Sequence, residues 1–307
     1  MANCNAIEKI SILCRGTYFD IKIKLHDGTD LNHRFHTDNQ RVIMYENGVK
    51  VHRVNNPRQC VEKAVALFFF KLFSRRDLKI QLLEIDTSKL TTTVRNTVEA
   101  LGCHWKPMFK EIQRAMSHLP APVNVWRFEV DGHPLLEGIE VEAFWNCLAP
   151  GKLEVFYHKG KSTPFYRGNL DVLTGSDQWK KAKLISTKFY GGLEIDELFN
   201  LTNVIARMDN FSLDDFQQFL KMSIESHIFS TAHIMVTPSG PVPDDWKKSL
   251  KDKIVSEMKR SASGKMEDMD CFHFRMKNVE ESILAKCREE PDYLSIILVT
   301  QTAYNAD

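Results

Sequence analysis

The sequence has no excess of charge of either sign, no apolar run of membrane-spanning length and no basic leader followed by an apolar stretch. It holds 41 Lys and Arg against 40 Asp and Glu, a formal net charge of +1. That balance argues against non-specific nucleic-acid binding, which needs a positive surface to displace counterions. The most apolar stretch, Val65–Phe73, is short and contains Lys71, so no membrane span is expected. Met1–Ile12 lacks the pattern of a secretory signal. The cysteines (Cys4, Cys14, Cys60, Cys103, Cys147, Cys271 and Cys287) are odd in number and scattered. Such spacing fits free thiols in a reducing compartment and predicts an intracellular protein, cytoplasmic or nuclear. Asn200-Leu-Thr202 and Asn210-Phe-Ser212 match the glycosylation triplet, which in that setting is coincidence.

What is present is ordinary globular composition: 43% apolar and 26% charged residues over 307 positions, enough for one large domain or two. Ile21, Ile23 and Leu25 alternate with Lys22 and Lys24, the period of a half-buried strand. Arg41–Glu46 and Val49–Val54 flank Asn47-Gly48, a hairpin signal because both turn positions must take positive φ. An antiparallel meander is therefore expected over 18–54, within an N-terminal segment 1–56.

The texture changes at Asn55-Asn56-Pro57, and residues 57–307 read as a second domain of alternating helices and strands. Helical spacing over Pro57–Leu78 precedes strand Lys79–Ile85. Helices at Met108–His118, Ile139–Cys147, Ser176–Ala182, Ile195–Phe199, Leu213–Ser226 and Asp244–Met258 precede strands Val123–Val130, Leu153–His158, Lys183–Tyr190, Asn203–Met208, Phe229–Val236 and Cys271–Lys277. Glu280–Arg288 is taken as the last helix, before strand Tyr293–Thr300. Ser212 is the expected N-cap of Leu213–Ser226, with Asp215 at the capping-box position. Ser261–Lys265 reads as a flexible insert. Strands recurring at roughly 20–45 residues fall in the range of solenoid repeats, and strict alternation favours a parallel sheet. The predicted fold is α/β: the meander, then a curved, leucine-rich-repeat-like parallel sheet without the leucine consensus. A doubly wound sheet is the competing topology.

Chemical motifs are weak. Gly160-Lys161-Ser162 follows a strand, but a phosphate loop needs glycine where Val155 stands. Cys103-His104, Cys271-x-His273 and His33-x-x-His36 lack the paired partners of a zinc site. No Gly-x-Ser-x-Gly elbow or Cys–His signature occurs. Asp214-Asp215 and Asp244-Asp245 sit at helix starts, where acids offset the helix dipole. The basic residues of 247–260 suit a solvated helix face. No catalytic residue, cofactor or metal ligand is expected.

Gln178-Trp179-Lys180-Lys181-Ala182-Lys183, followed by Phe211-Ser212-Leu213-Asp214-Asp215, resembles the nematode FTH domain found at the C-terminus of many F-box A proteins. Val61–Ile85 is also similar, and the resemblance covers roughly residues 40–240. It implies a substrate-recognition or protein-interaction module associated with ubiquitin ligases through a Skp-type adaptor. Such proteins usually begin with a helical F-box, which is not recognisable here. An orphan interaction protein or decoy outside any ligase is the alternative, and an enzyme with a site at the strand C-termini is a third reading. If strand faces bind a protein partner, alternation nominates Arg127, Glu129, Glu154, Lys188, Arg207 and His233 as contacts.

Overall fold

The computed structural model describes residues 6–15, 18–38, 41–54, 61–88, 95–132, 136, 138–159, 167–187, 193–199, 201–209, 211–238, 241–266, 271–276 and 281–302. The fold is mixed α/β, and the chain divides into two compact units, residues 1–179 and 180–307.

The first unit opens on a strand absent from the expected pattern, β1 (Ala6–Arg15), followed by β2 (Tyr18–Leu25), β3 (Asp30–Asp38), β4 (Arg41–Glu46) and β5 (Val49–Val54). β2–β5 form the expected antiparallel meander. At the β4–β5 turn Asn47 and Gly48 take φ of 49° and 80°, as a two-residue hairpin turn requires. Then come α1 (Val61–Phe73), β6 (Lys79–Asp86), α2 (Arg95–Met116), β7 (Asn124–Asp131), α3 (Ile139–Trp145), β8 (Val155–His158), α4 (Arg167–Thr174) and the short α5 (Asp177–Lys181). The strand order is β8-β7-β6-β1-β2-β3-β4-β5. β1 is the joint: it pairs parallel with β6 and antiparallel with β2. α2 begins well before the expected Met108, with Pro107 inside it. Proline removes an intrahelical hydrogen bond, but Trp105, Met108, Phe109, Ile112 and Met116 are all buried and hold the helix through it.

The second unit contains β9 (Leu184–Thr187), a 3-10 turn (Ile195–Leu198), β10 (Asn203–Asp209), α6 (Leu213–Glu225), β11 (Thr231–Thr237), α7 (Trp246–Ser261), β12 (Gly264–Met266), β13 (Cys271–Arg275), β14 (Glu281–Glu289) and β15 (Leu294–Thr302). Its strand order is β9-β10-β11-β15-β14-β13-β12. β9, β10 and β11 are parallel. The expected parallel alternation then fails, because β15 joins β11 antiparallel and β12–β15 form an antiparallel meander. Of the helix expected over Glu280–Arg288, the described residues 281–288 are strand instead: β14 buries Ile283, Ala285 and Cys287, every second residue, which is a strand period. Ser261–Lys265 is not an insert. It ends α7 and enters β12, and Ser263 N–H donates to the His273 carbonyl at 2.8 Å. At α6 the capping box forms as expected, Asp215 N–H donating to Ser212 Oγ at 3.1 Å and Ser212 N–H to the Asp215 carboxylate at 2.8 Å.

One spacing recurs through the parallel strands of both units: buried, two positions, buried, one position, buried. In the first unit it reads Ile7/Ile10/Ile12, Ile80/Leu83/Ile85, Val125/Phe128/Val130 and Leu153/Phe156/His158. In the second it reads Ala182/Ile185/Thr187, Leu201/Val204/Ala206 and Phe229/Ala232/Ile234. The helices pack on this side. In the first unit Phe69 of α1 and Phe109 of α2 meet Phe19, and Trp145 of α3 meets Phe128 and Phe156. In the second, α6 and α7 bury Phe216, Phe219, Leu220, Ile254 and Met258.

Candidate functional site

The helix-packed side is spent on the core, so the chemistry available for recognition lies on the opposite sheet faces. In the first unit the pairing register sets Ser11, Glu84, Glu129 and Tyr157 in one row across β1, β6, β7 and β8, with Lys9, Leu82, Arg127 and Val155 in the next. These rows are charged and internally paired. Glu129, expected to be exposed, is only 5% exposed. It accepts hydrogen bonds from Arg127 Nε and, at 2.7 Å, from Lys159 Nζ, and both cations lie over the Tyr157 ring, at 4.8 and 6.0 Å from its centroid. Burial acts to raise the Glu129 carboxyl, but the bonds from Lys159 and Arg127 outweigh it and hold it below the ordinary range. Lys9 pairs with Glu84 at 3.0 Å. Arg34 grips Asp20 through two bonds of 2.6 and 2.8 Å and covers the Tyr18 ring, which stacks on His36. Tyr18, Asp20, Lys22, Asn32, Arg34, His36 and Tyr45 line a shallow cavity of about 590 Å³ on β2–β4.

In the second unit the corresponding rows run Asn203–Thr231–Val299–Leu284–His273, Ile205–His233–Ile297–Lys286 and Arg207–Met235–Ser295–Arg288. Ile205, Ile297, Val299 and Leu284 give them an aliphatic strip, with His233 between Ile205 and Ile297. Arg207 Nε donates to Thr237 Oγ1 at 2.8 Å, and that hydroxyl donates to Asp209 at 2.9 Å. His233 Nε2 lies 2.9 Å from Ser295 Oγ.

Of the nominated contacts, Arg127 and Glu129 are therefore an ion pair on one strand, with Glu154 beside them, its N–H bonded to the Trp126 carbonyl. Arg207 and His233 stand on neighbouring strands of the second unit. Lys188 lies outside the described residues. Sequence reading missed Lys159, Tyr157, Lys286 and Arg288. The recurrent burial spacing is the signal that would have found the parallel-strand members, because it fixes which positions face away from the helices.

At the C-terminal strand ends of the first unit, where an enzyme of this class would carry its site, polar groups do converge, but the space is filled. A Cβ on Gly132 would lie 2.7 Å from Glu140 Oε1 and 3.0 Å from His158 Nε2. Burial, reinforced by Glu140, Asp86 and Asp20, pushes the Cys14 thiol well up, which keeps it protonated and a poor nucleophile. Burial also pushes His158 down to about 4. Among the described residues no group of three His, Cys, Asp or Glu side chains is placed to hold a metal ion, no helix is long and apolar enough to cross a membrane, and Cys14, Cys147, Cys271 and Cys287 are in no disulfide.

No curated protein and no solved structure is significantly similar to the chain. Residues 136–254 match the family model of the FTH domain. The match holds the Trp179 block and the capped start of α6; Val61–Ile85 lies outside it. Residues 136–254 are thus an FTH domain, running from just before α3 into α7.

Proposed function

We propose that the protein is a non-catalytic protein-interaction module that presents the helix-free faces of its strands to a partner, as the substrate-recognition domain of an F-box protein would. The observation that carries this reading is the FTH domain over residues 136–254. It is supported by the seven-fold recurrence of one burial spacing, which fits a leucine-rich-repeat-like arrangement of the parallel strands. In such repeats the inward positions are constrained by packing, and the outward ones are free to diverge toward different partners. The closed polar cluster around Gly132 gives little support to an enzyme.

Two forms of the reading differ in the ligase connection. Residues 6–54 are strands and the turns between them wherever they are described, so this segment is not itself a helical F-box. Affinity purification from cell extract, combined with lysine cross-linking, tests both points. The expected result is a protein partner cross-linked to strand-face lysines such as Lys22, Lys159 or Lys286, and its recovery without a Skp-type adaptor or cullin would support the form outside a ligase. A partner linked only through the outer faces of α2 and α7 would overturn the strand-face reading. Recovery of adaptor and cullin with the full chain would restore the ligase form.

A further inference from the structure

We infer that the helix-free face of the second unit docks an acidic segment of a partner protein that carries apolar anchors; this rests on the interaction reading above and names its partner chemistry. The face is fixed by register. α7 lies on the Cys287 side of β14, since Lys251 of α7 lies close enough to act on that thiol and also pairs with Glu289 at 3.3 Å. Leu284, Lys286 and Arg288 therefore point the other way. Opposite them across β15, β11 and β10 stand Val299, Ile297 and Ser295, then Thr231, His233 and Met235, then Asn203, Ile205 and Arg207. Ile205, Leu284, Ile297 and Val299 make an apolar strip, and Val299 is 37% exposed.

Charge around that strip is one-sided. Arg207, Arg275, Lys286 and Arg288 are its cations. Among the described residues of these rows Asp209 is the one acid, and it already accepts the Thr237 hydroxyl. Arg275, Lys286 and Arg288 enter no ion pair among the described residues. A chain that is nearly neutral overall thus places cations that are unpaired among the described residues beside the half-buried Ile205, Leu284 and Ile297 and the exposed Val299. Complementary charge steers a partner and fixes its register, while desolvated apolar contacts at the centre supply affinity. Nucleic acid is the competing partner, since single strands are held by stacking on aromatic rings and His233 lies in these rows with its ring centroid 6.4 Å from that of Tyr293; the aliphatic strip of Ile205, Leu284, Ile297 and Val299 favours apolar anchors over stacked bases.

The test is selection of a random peptide library on the full-length protein, followed by fluorescence-anisotropy titration of recovered peptides against wild type, Lys286→Glu/Arg288→Glu and the milder Lys286→Gln/Arg288→Gln. Recovered peptides are expected to combine Asp or Glu with Leu, Ile or Phe, to bind the charge-reversed protein about tenfold more weakly or worse, and to weaken with added salt. The Gln variant is expected to lose less, and Ile297→Ser is expected to weaken binding without changing its salt dependence. Recovery of no peptides, peptides that bind all variants equally, or tighter binding of an oligothymidylate or of anionic vesicles would overturn the inference. A partner that cross-links to Lys22 or Lys159 while the Lys286 variants bind normally would overturn it too, and would leave the broader interaction reading standing.

Discussion

The two units leave the same kind of surface, a sheet face without helices, in different electrostatic conditions. In the first unit charges meet their opposites within the sheet: Lys9 with Glu84, Arg34 with Asp20, and Arg127 and Lys159 with Glu129. In the second unit Arg275, Lys286 and Arg288 stand without ionic partners among the described residues, beside the half-buried Ile297 and the exposed Val299. Paired charges contribute to holding the sheet and offer little to a newcomer, which must first break an existing pair. Unpaired cations over apolar groups cost the free protein little and have most to gain from a partner. On the proposed docking surface, stability and recognition are weighted toward different units.

Exchanging charge at one site in each unit gives the largest expected contrast. Glu129→Lys places a third cation against Arg127 and Lys159 in a position 5% exposed. A buried charge without compensation typically costs about 3–5 kcal/mol, so urea unfolding should shift by an amount of that order. Lys286→Glu, on an open row, should leave the midpoint nearly unchanged. Equal losses in the two variants would remove the contrast.

Much of this architecture was readable from sequence, for identifiable reasons. The meander declared itself because Asn47-Gly48 is a local turn signal and Ile21/Lys22/Ile23/Lys24 a local alternation, both independent of the rest of the fold. α6 did so through Ser212 and Asp215. β1 was missed because a strand buried between β2 and β6 carries an almost continuous apolar run, Ile10–Cys14 broken only by Ser11, with no alternation to detect. β14 was mistaken for a helix because Ile283, Leu284 and Cys287 also fit helical spacing, and only pairing with β13 and β15 decides between the periods. The site was legible in part. Arg127 and Glu129 were found by alternation, but the burial of Glu129 depends on Lys159, which is thirty residues away and sits at the end of a short strand.

Acid should separate the units next. His158 in the first unit is held neutral, its pKa pushed down to about 4, whereas an unfolded histidine titrates near 6.5. Between those values the unfolded chain binds more protons than the folded one, so stability rises with pH across the window and is lost as pH falls from about 6.5 toward 4. The full loss is on the order of 3 kcal/mol. Glu129 adds a lower window: its depressed pKa stabilises the fold above the unfolded carboxyl value near 4.3, and that contribution disappears as pH falls through the folded value. Hydrogen exchange followed by mass spectrometry from pH 7 to about pH 4, corrected for intrinsic rates, should show protection falling first in β6–β8. His158→Gln should flatten that dependence. Protection falling first in β10–β15 would reverse the assignment of pH sensitivity to the first unit.

The smallest expected difference is between two arginines. Arg34 holds Asp20 through two hydrogen bonds, and Asp20 is buried while the arginine side chain is about half exposed. Exposed pairs are worth about 0.2–1 kcal/mol in salt, and bidentate geometry places this one toward the upper end. Arg34→Gln should therefore lower stability by about 0.5–1 kcal/mol, with an effect that shrinks as salt is added. Arg275 has no ionic partner among the described residues, so Arg275→Gln should leave unfolding unchanged at any salt concentration. The two variants should exchange rank when binding is measured, Arg275→Gln weakening capture of acidic peptides and Arg34→Gln leaving it intact. If Arg34→Gln proved the more damaging in both measurements, the paired face of the first unit would be the recognition surface, and the unpaired cations of the second would be solvated charge only.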